Sequence, residues 1–316
     1  LPLSLSLSSS SAAVPPMKGV RPDPSRISYQ SAETYFREVD LSMYRSQIVM
    51  DDRDGSGSGS GSGKWRLFGG PGKLKFEGWE EEKMFPFLIA QVEYDPSIPT
   101  HLHILQTIFK SLVGSGRTCP ITGPHWEQIG FQGNDPCTDI NRSMRMLAAL
   151  QMLHLTTQHG SLARKLHALS NITPDPGRGK AGASLDLSWP MFCVSIMFTK
   201  ETIQVFRTGQ LNKLCNSKGQ VLSVLHEFYR ALFIEFARLV SSSKTIHHAE
   251  HLAILRKQCA TDPLAILKAA EKVQLETIIT PTAKFDDIEG LTDKMDEEGV
   301  SVTGLALPSR ASKFFA

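Results

Sequence analysis

Between residues 125 and 150 the chain reads HWEQIGFQGNDPCTDINRSMRMLAAL, and most of the side chains suited to chemistry gather there. Arg142 is a long cation just past a cluster of turn formers and acids, Asp135, Pro136, Thr138 and Asp139. An arginine at the start of a helix, beside unpaired backbone N–H donors, suits a phosphoryl oxygen or negative charge developing on one. The competing reading is a solvated surface side chain. Cys137 stands near Asp135, with His125 and His154 as candidate bases. A thiol nucleophile needs such a base against it in space, and a cysteine inside a shaped loop is expected to pack instead. His247, His248 and His251 with Glu250 place two histidines one helical turn apart, a spacing able to grip zinc. They do not form H-E-x-x-H and no third ligand is apparent, so a solvated helix face is expected. Gly177, Gly179 and Lys180 evoke a phosphate loop, but the glycines are too close and Ala181 stands where Ser or Thr is required.

What must position Arg142 is a loop that feeds a helix. Residues 126–139 interleave Gly130, Gly133, Asn134, Asp135 and Pro136 with Trp126, Ile129 and Phe131, a composition that predicts a loop of defined shape. From about Ile140 the apolar residues Met146, Leu147, Leu150 and Leu153 recur at helical intervals. Thr138 or Asp139 is placed to cap that helix. Trp126, Gly130 and Phe131 read as structural, holding the loop against the helix.

The run Trp126-x-x-Ile129-Gly130-Phe131-Gln132-Gly133-x-Asp135-Pro136-x-Thr138-Asp139 resembles the signature of the ELMO domain family. Flanking stretches resemble family segments in the same order: LFGGPGKL at 67–74, HILQTIFKSLVG at 103–114, WPMFCVSIMFTK at 189–200 and EFYRALFIEFA at 227–237. The similarity covers most of 64–275 and is nearest to the ELMO domain-containing GTPase-activating proteins. It implies an ARF-family small GTPase as partner, action on the GTP and magnesium bound to that partner, and no cofactor of the chain's own. The family pattern continues Thr-Asp-aromatic/aliphatic-Arg-Gly, its arginine being assigned to GTPase activation. Here that position is Asn141, and Arg142 follows where the family has glycine. One step along a helix turns a side chain by about 100° and moves it by about 1.5 Å, a displacement that a long arginine recovers only in part. The expectation is a GTPase activator, not an enzyme with its own substrate, using Arg142 as a displaced finger and Asn141 as a degenerate one. On that reading Asn141→Arg raises activity. The alternative is a non-catalytic ELMO-type binding or scaffold module. It keeps the fold and a partner-binding loop of Trp126, Gly130, Phe131, Gln132, Gly133, Asp135, Pro136, Thr138 and Asp139 but lacks the accelerating arginine.

Composition bounds the rest. The chain has 316 residues, 41% of them hydrophobic, enough for a real core. Thirty-four lysines and arginines against 32 acids leave a net charge of +2, no footprint for nucleic acid. No uninterrupted apolar run reaches membrane-spanning length, so membrane association is expected only peripherally, through a partner. Five cysteines without C-x-x-C spacing read as thiols of a reducing compartment, which predicts a cytoplasmic protein. Residues 1–16 are Ser/Leu-rich, Met17 is a candidate start, and a transit peptide is disfavoured because arginine enrichment is missing.

Three regions are expected. Residues 1–63 form a low-complexity leader, a helix over 31–48 that docks in cis, and a Gly/Ser tether. Residues 64–275 form the ELMO domain, with helices at 80–92, 101–113, 142–159, 162–169, 189–206 as a buried pair, 219–240 and 263–275. Asp262 and Pro263 open the last of these. Residues 171–188 read as a surface insertion, and 276–316 as an acidic disordered tail. The predicted architecture is all-α, an irregular multi-helix single domain with disordered ends.

Overall fold

The computed structural model describes residues 25–48, 72–114, 116–171, 188–242 and 248–273. Among these residues every regular element is helical and there is no strand. The expected leader, tether, 172–187 insertion and acidic tail lie outside the described residues.

Two helices form the centre. In α5 (Arg145–Gln158), Met146 to Leu153 are buried without a break, which happens only when a helix is covered on all sides. The longest helix, α9 (Leu222–Ser242), buries Leu225, Phe228, Leu232 and Phe236 along one stripe, and Tyr229 and Phe233 widen it. Around this pair pack α3 (Pro99–Val113), α6 (Gly160–Ser170), α7 (Met191–Arg207), α10 (His248–Thr261) and α11 (Pro263–Lys272). Local chemistry marks several ends. Asp262 accepts from Ala265 N at 3.1 Å with Pro263 in the first turn of α11, and Pro99 opens α3.

Two expectations about elements need correction. The helix expected over 31–48 is α1 (Tyr29–Glu38) followed by a separate 3-10 turn (Ser42–Gln47). Val39 turns extended, and Asp40 accepts from Ser42 N at 2.9 Å, which starts the turn afresh. Residues 191–207 are one continuous helix, not a pair. Pro86 lies in the interior of α2 (Trp79–Ile89), and the helix runs on to Ile89.

The expected cis docking of the first helix is what the structure shows. Ala32 and Phe36 of α1 are buried, and Tyr29 Oη is 2.7 Å from His226 Nε2 on α9. Short helices α4 (Pro136–Ile140) and α8 (Asn212–Lys218) complete the set.

Candidate functional site

The loop that carries the motif is anchored from below by aromatic rings. Trp126, wholly buried, meets Phe109 of α3 edge to face at 5.7 Å and Phe131 at 5.5 Å, and Phe131 stacks on Phe192 of α7 at 4.0 Å. Trp126 Nε1 donates to Ile121 O at 3.0 Å, and Gly123 N donates to Asn134 O at 2.8 Å, which closes the loop across its neck. Gly130 has φ +92 and lies against the start of α7, where its carbonyl accepts from Cys193 N. Trp126, Gly130 and Phe131 therefore form the floor of the loop.

The cap differs from expectation. Asp135, not Thr138 or Asp139, caps α4, accepting from Cys137 N at 2.9 Å. Thr138 Oγ1 donates back to Asp135 O. Asp139 is buried, and its Oδ2 accepts from Gln132 N at 2.7 Å, tying the far side of the loop to α4. Burial raises the Asp139 pKa, opposed by the Gln132 N–H and by Arg142. No side chain caps α5; a tight turn leads into it instead, with Met144 at φ 61 and Arg145 at φ 43.

That turn is pinned to the segment between α2 and α3. Asn141 Oδ1 accepts from Tyr94 N at 2.7 Å while its Nδ2 donates to Tyr94 O at 3.1 Å. Met146 N donates to Val92 O, and Arg145 Nη1 donates to Gln91 O at 2.6 Å. The Asn141 amide thus pairs with both backbone polar atoms of Tyr94 as a peptide group would. An arginine at this position carries donors only and has nothing to accept from Tyr94 N. Arg142, its side chain 44% exposed, donates to Gln132 Oε1 at 3.0 Å and lies 3.7 Å from Asp139 Oδ1. It braces the loop across its outer face.

Sequence reasoning placed Gln132, Asp139 and Arg142 in one site, and the structure brings them into contact. It did not find Tyr94 or Gln91, because their role is carried by backbone atoms that leave no mark in residue type. The other candidates resolve on burial. Burial and the neighbouring Asp135 push the Cys137 thiol up to about 11, and His125 faces Cys119 at 3.8 Å instead. Cys119 in turn is pushed up to about 12 by burial, so neither thiol is a ready nucleophile. His248 and His251 are buried, not on a solvated face; His247 and 177–181 lie outside the described residues.

A family profile described as the ELMO/CED-12 family matches residues 87–252. The chain is similar to ELMO domain-containing protein 3 of Mus musculus, 34% identical over 216 residues, 67% of this chain and 52% of the relative. The same protein of Bos taurus is 33% identical over 249 residues, 78% and 61% of the two chains. ELMO domain-containing protein B of Dictyostelium discoideum is 25% identical over 154 residues, 49% of each. The chain therefore spans 52% to 61% of the length of the protein 3 relatives. No solved structure matches it.

These findings correct the expectation of an ARF-family GTPase activator. The matched family is one of protein–protein interaction modules with no catalytic motif in evidence, and the position expected to hold the finger is an asparagine spent on backbone pairing. The expected action on a partner's GTP and magnesium falls with it. Among the described residues no group of three His, Cys, Asp or Glu is placed to hold a metal ion. Among those residues, too, no helix is long and apolar enough to cross a membrane.

Proposed function

This chain belongs to the ELMO/CED-12 family, and on that premise we propose that it works as a non-catalytic binding and scaffold module. The observation that carries the reading is Asn141. Both polar atoms of its amide are engaged by Tyr94, at the position where an activator of the resembled type keeps an arginine. The partner surface is the rim of the loop. Its aromatic floor is buried, while Ile121 is 44% exposed and Glu127, Gln128, Asn134 and Arg142 of the same segment are exposed as well. An exposed aliphatic side chain on a loop that also exposes polar residues is a suitable centre for a protein contact.

The partner class to test first is an ARF-family small GTPase, as a bound protein only. A cytoplasmic location fits the five cysteines, all present as thiols, and membrane association would come through the partner. The test pairs two measurements on GTP-loaded GTPases: binding by interferometry and hydrolysis in a single turnover. The expected result is an unchanged hydrolysis rate, with any binding weakened at least about tenfold by Ile121→Asp, as for a central contact residue. Acceleration of hydrolysis that disappears in Arg142→Ala would overturn the reading.

A further inference from the structure

α5 passes into α6 through a single residue, His159. The corner faces the middle of α9 and the end of α11, and a cavity of about 550 Å³ opens between them. That volume is in the range of small-molecule sites. The lining mixes polar residues, Arg230, His159, Gln158 and Ser161, with apolar ones, Leu162, Ile234 and Val273.

Arg230 is the unusual member. Its Nε is buried and donates to no described group, and among the described residues no carboxylate pairs with it. Arg37, Arg145, Arg238 and Arg256 each face a carboxylate instead: Glu82, Glu93, Glu235 and Glu201 respectively. The residue as a whole is half-buried, but a guanidinium nitrogen buried without an acceptor is costly, and a buried polar group left unpaired calls for an explanation. The first turn of α6, which no side chain caps, opens onto the same space through Gly160 and Ser161. Burial lowers the pKa of both His154 and His159; the Arg230 charge lowers both further, while Glu227 opposes it at His159. The opposing charge in the lining is Glu271, exposed at the mouth.

We propose that this cavity binds a small amphiphilic anion, its oxyanion head on Arg230 and a short apolar portion against Leu162, Ile234 and Val273. The planar fork of an arginine matches a carboxylate or a phosphate equally in geometry, so the head is defined as either. The site is separate from the loop rim and does not depend on the scaffold reading.

Calorimetric titration of the full chain with hexanoate, hexyl phosphate, hexanol and inorganic phosphate tests this. Saturable binding of one or both hexyl anions is expected, with hexanol and inorganic phosphate at least about tenfold weaker because each lacks one half of the recognition. The tighter of the two anions identifies the head. Arg230→Gln should weaken binding at least about tenfold, and Glu271→Gln should strengthen it about two-fold by removing a rim charge. Thermal melts report whether Arg230→Gln still folds. If it does not, Ile234→Trp fills the cavity with Arg230 left in place and should abolish binding. Hexanol as tight as hexanoate, no saturable binding, or undiminished binding to a folded Arg230→Gln would each overturn the proposal.

Discussion

Gly130 is held at φ +92, and a Cβ built there would lie 2.2 Å from Met191 N and 2.6 Å from Pro190 C. Both contacts are backbone, so neither gives way as a flexible side chain would. Gly130→Ala should therefore destabilise the domain by at least about 3 kcal/mol, seen as a large drop in melting temperature. Asn141 is sensitive for a different reason, since its two hydrogen bonds to Tyr94 hold the turn that launches α5. Asn141→Arg should cost about 2 to 3 kcal/mol, because Tyr94 N loses its acceptor and the guanidinium has none to offer. The expectation that this substitution raises GTPase activity is reversed: a lower melting temperature and no gain in GTP hydrolysis should be measured. A stable, activating Asn141→Arg variant would show that the amide bridge is dispensable.

At the scale of elements, α1 is held by contacts that depend on neutral histidines. Tyr29 is bonded to His226, which stacks on His154 at 4.1 Å, and Phe36 stacks on His101 at 5.8 Å. Burial lowers the pKa of all three histidines, to about 4 for His101 and His154 and well below the usual value for His226, where the neighbouring His154 and His159 add to the effect. Folded values below the unfolded value of about 6.5 mean the stability is fully present above that pH. It is lost as pH falls towards the folded values, because the unfolded chain takes up protons that the native chain refuses. Each histidine contributes up to about 1.4 kcal/mol per pH unit in that window. Urea unfolding at pH 7 and pH 5 should differ by about 2 kcal/mol or more, with α1 the first segment to gain hydrogen exchange. Equal stability at the two pH values would mean that these rings are already reached by water.

For the whole molecule, we propose that the folding unit begins before the motif-bearing region. A division at residue 63 would separate α1 from the helices it packs on, although Tyr29, Ala32 and Phe36 belong to the continuous core. Full burial of one large apolar side chain contributes about 1.5 to 3 kcal/mol, so losing α1 removes several. A chain starting at residue 25 should melt at the temperature of the full protein. One starting at residue 64 should melt well below it and bind a hydrophobic dye. If both behave alike in scanning calorimetry, α1 is an appendage and the domain starts after the tether.

Much of this molecule is legible in its sequence, because helices are specified within a few residues of themselves. The apolar spacing of α3, α5 and α9, the Asp262–Pro263 start of α11 and the aromatic floor of Trp126 and Phe131 all follow from local period and residue type. The motif likewise identifies the family from consecutive residues. Tertiary structure alone decided what the polar residues do. Asn141 becomes a backbone partner only because residues 91–94, nearly fifty positions earlier, lie alongside it. Arg142 braces a loop, Asp139 is buried beneath it, and Arg230 lines a cavity with its Nε unpaired. A side chain's period is set by its neighbours in the chain, but its charge state and hydrogen-bond partners are set by what folding brings against it.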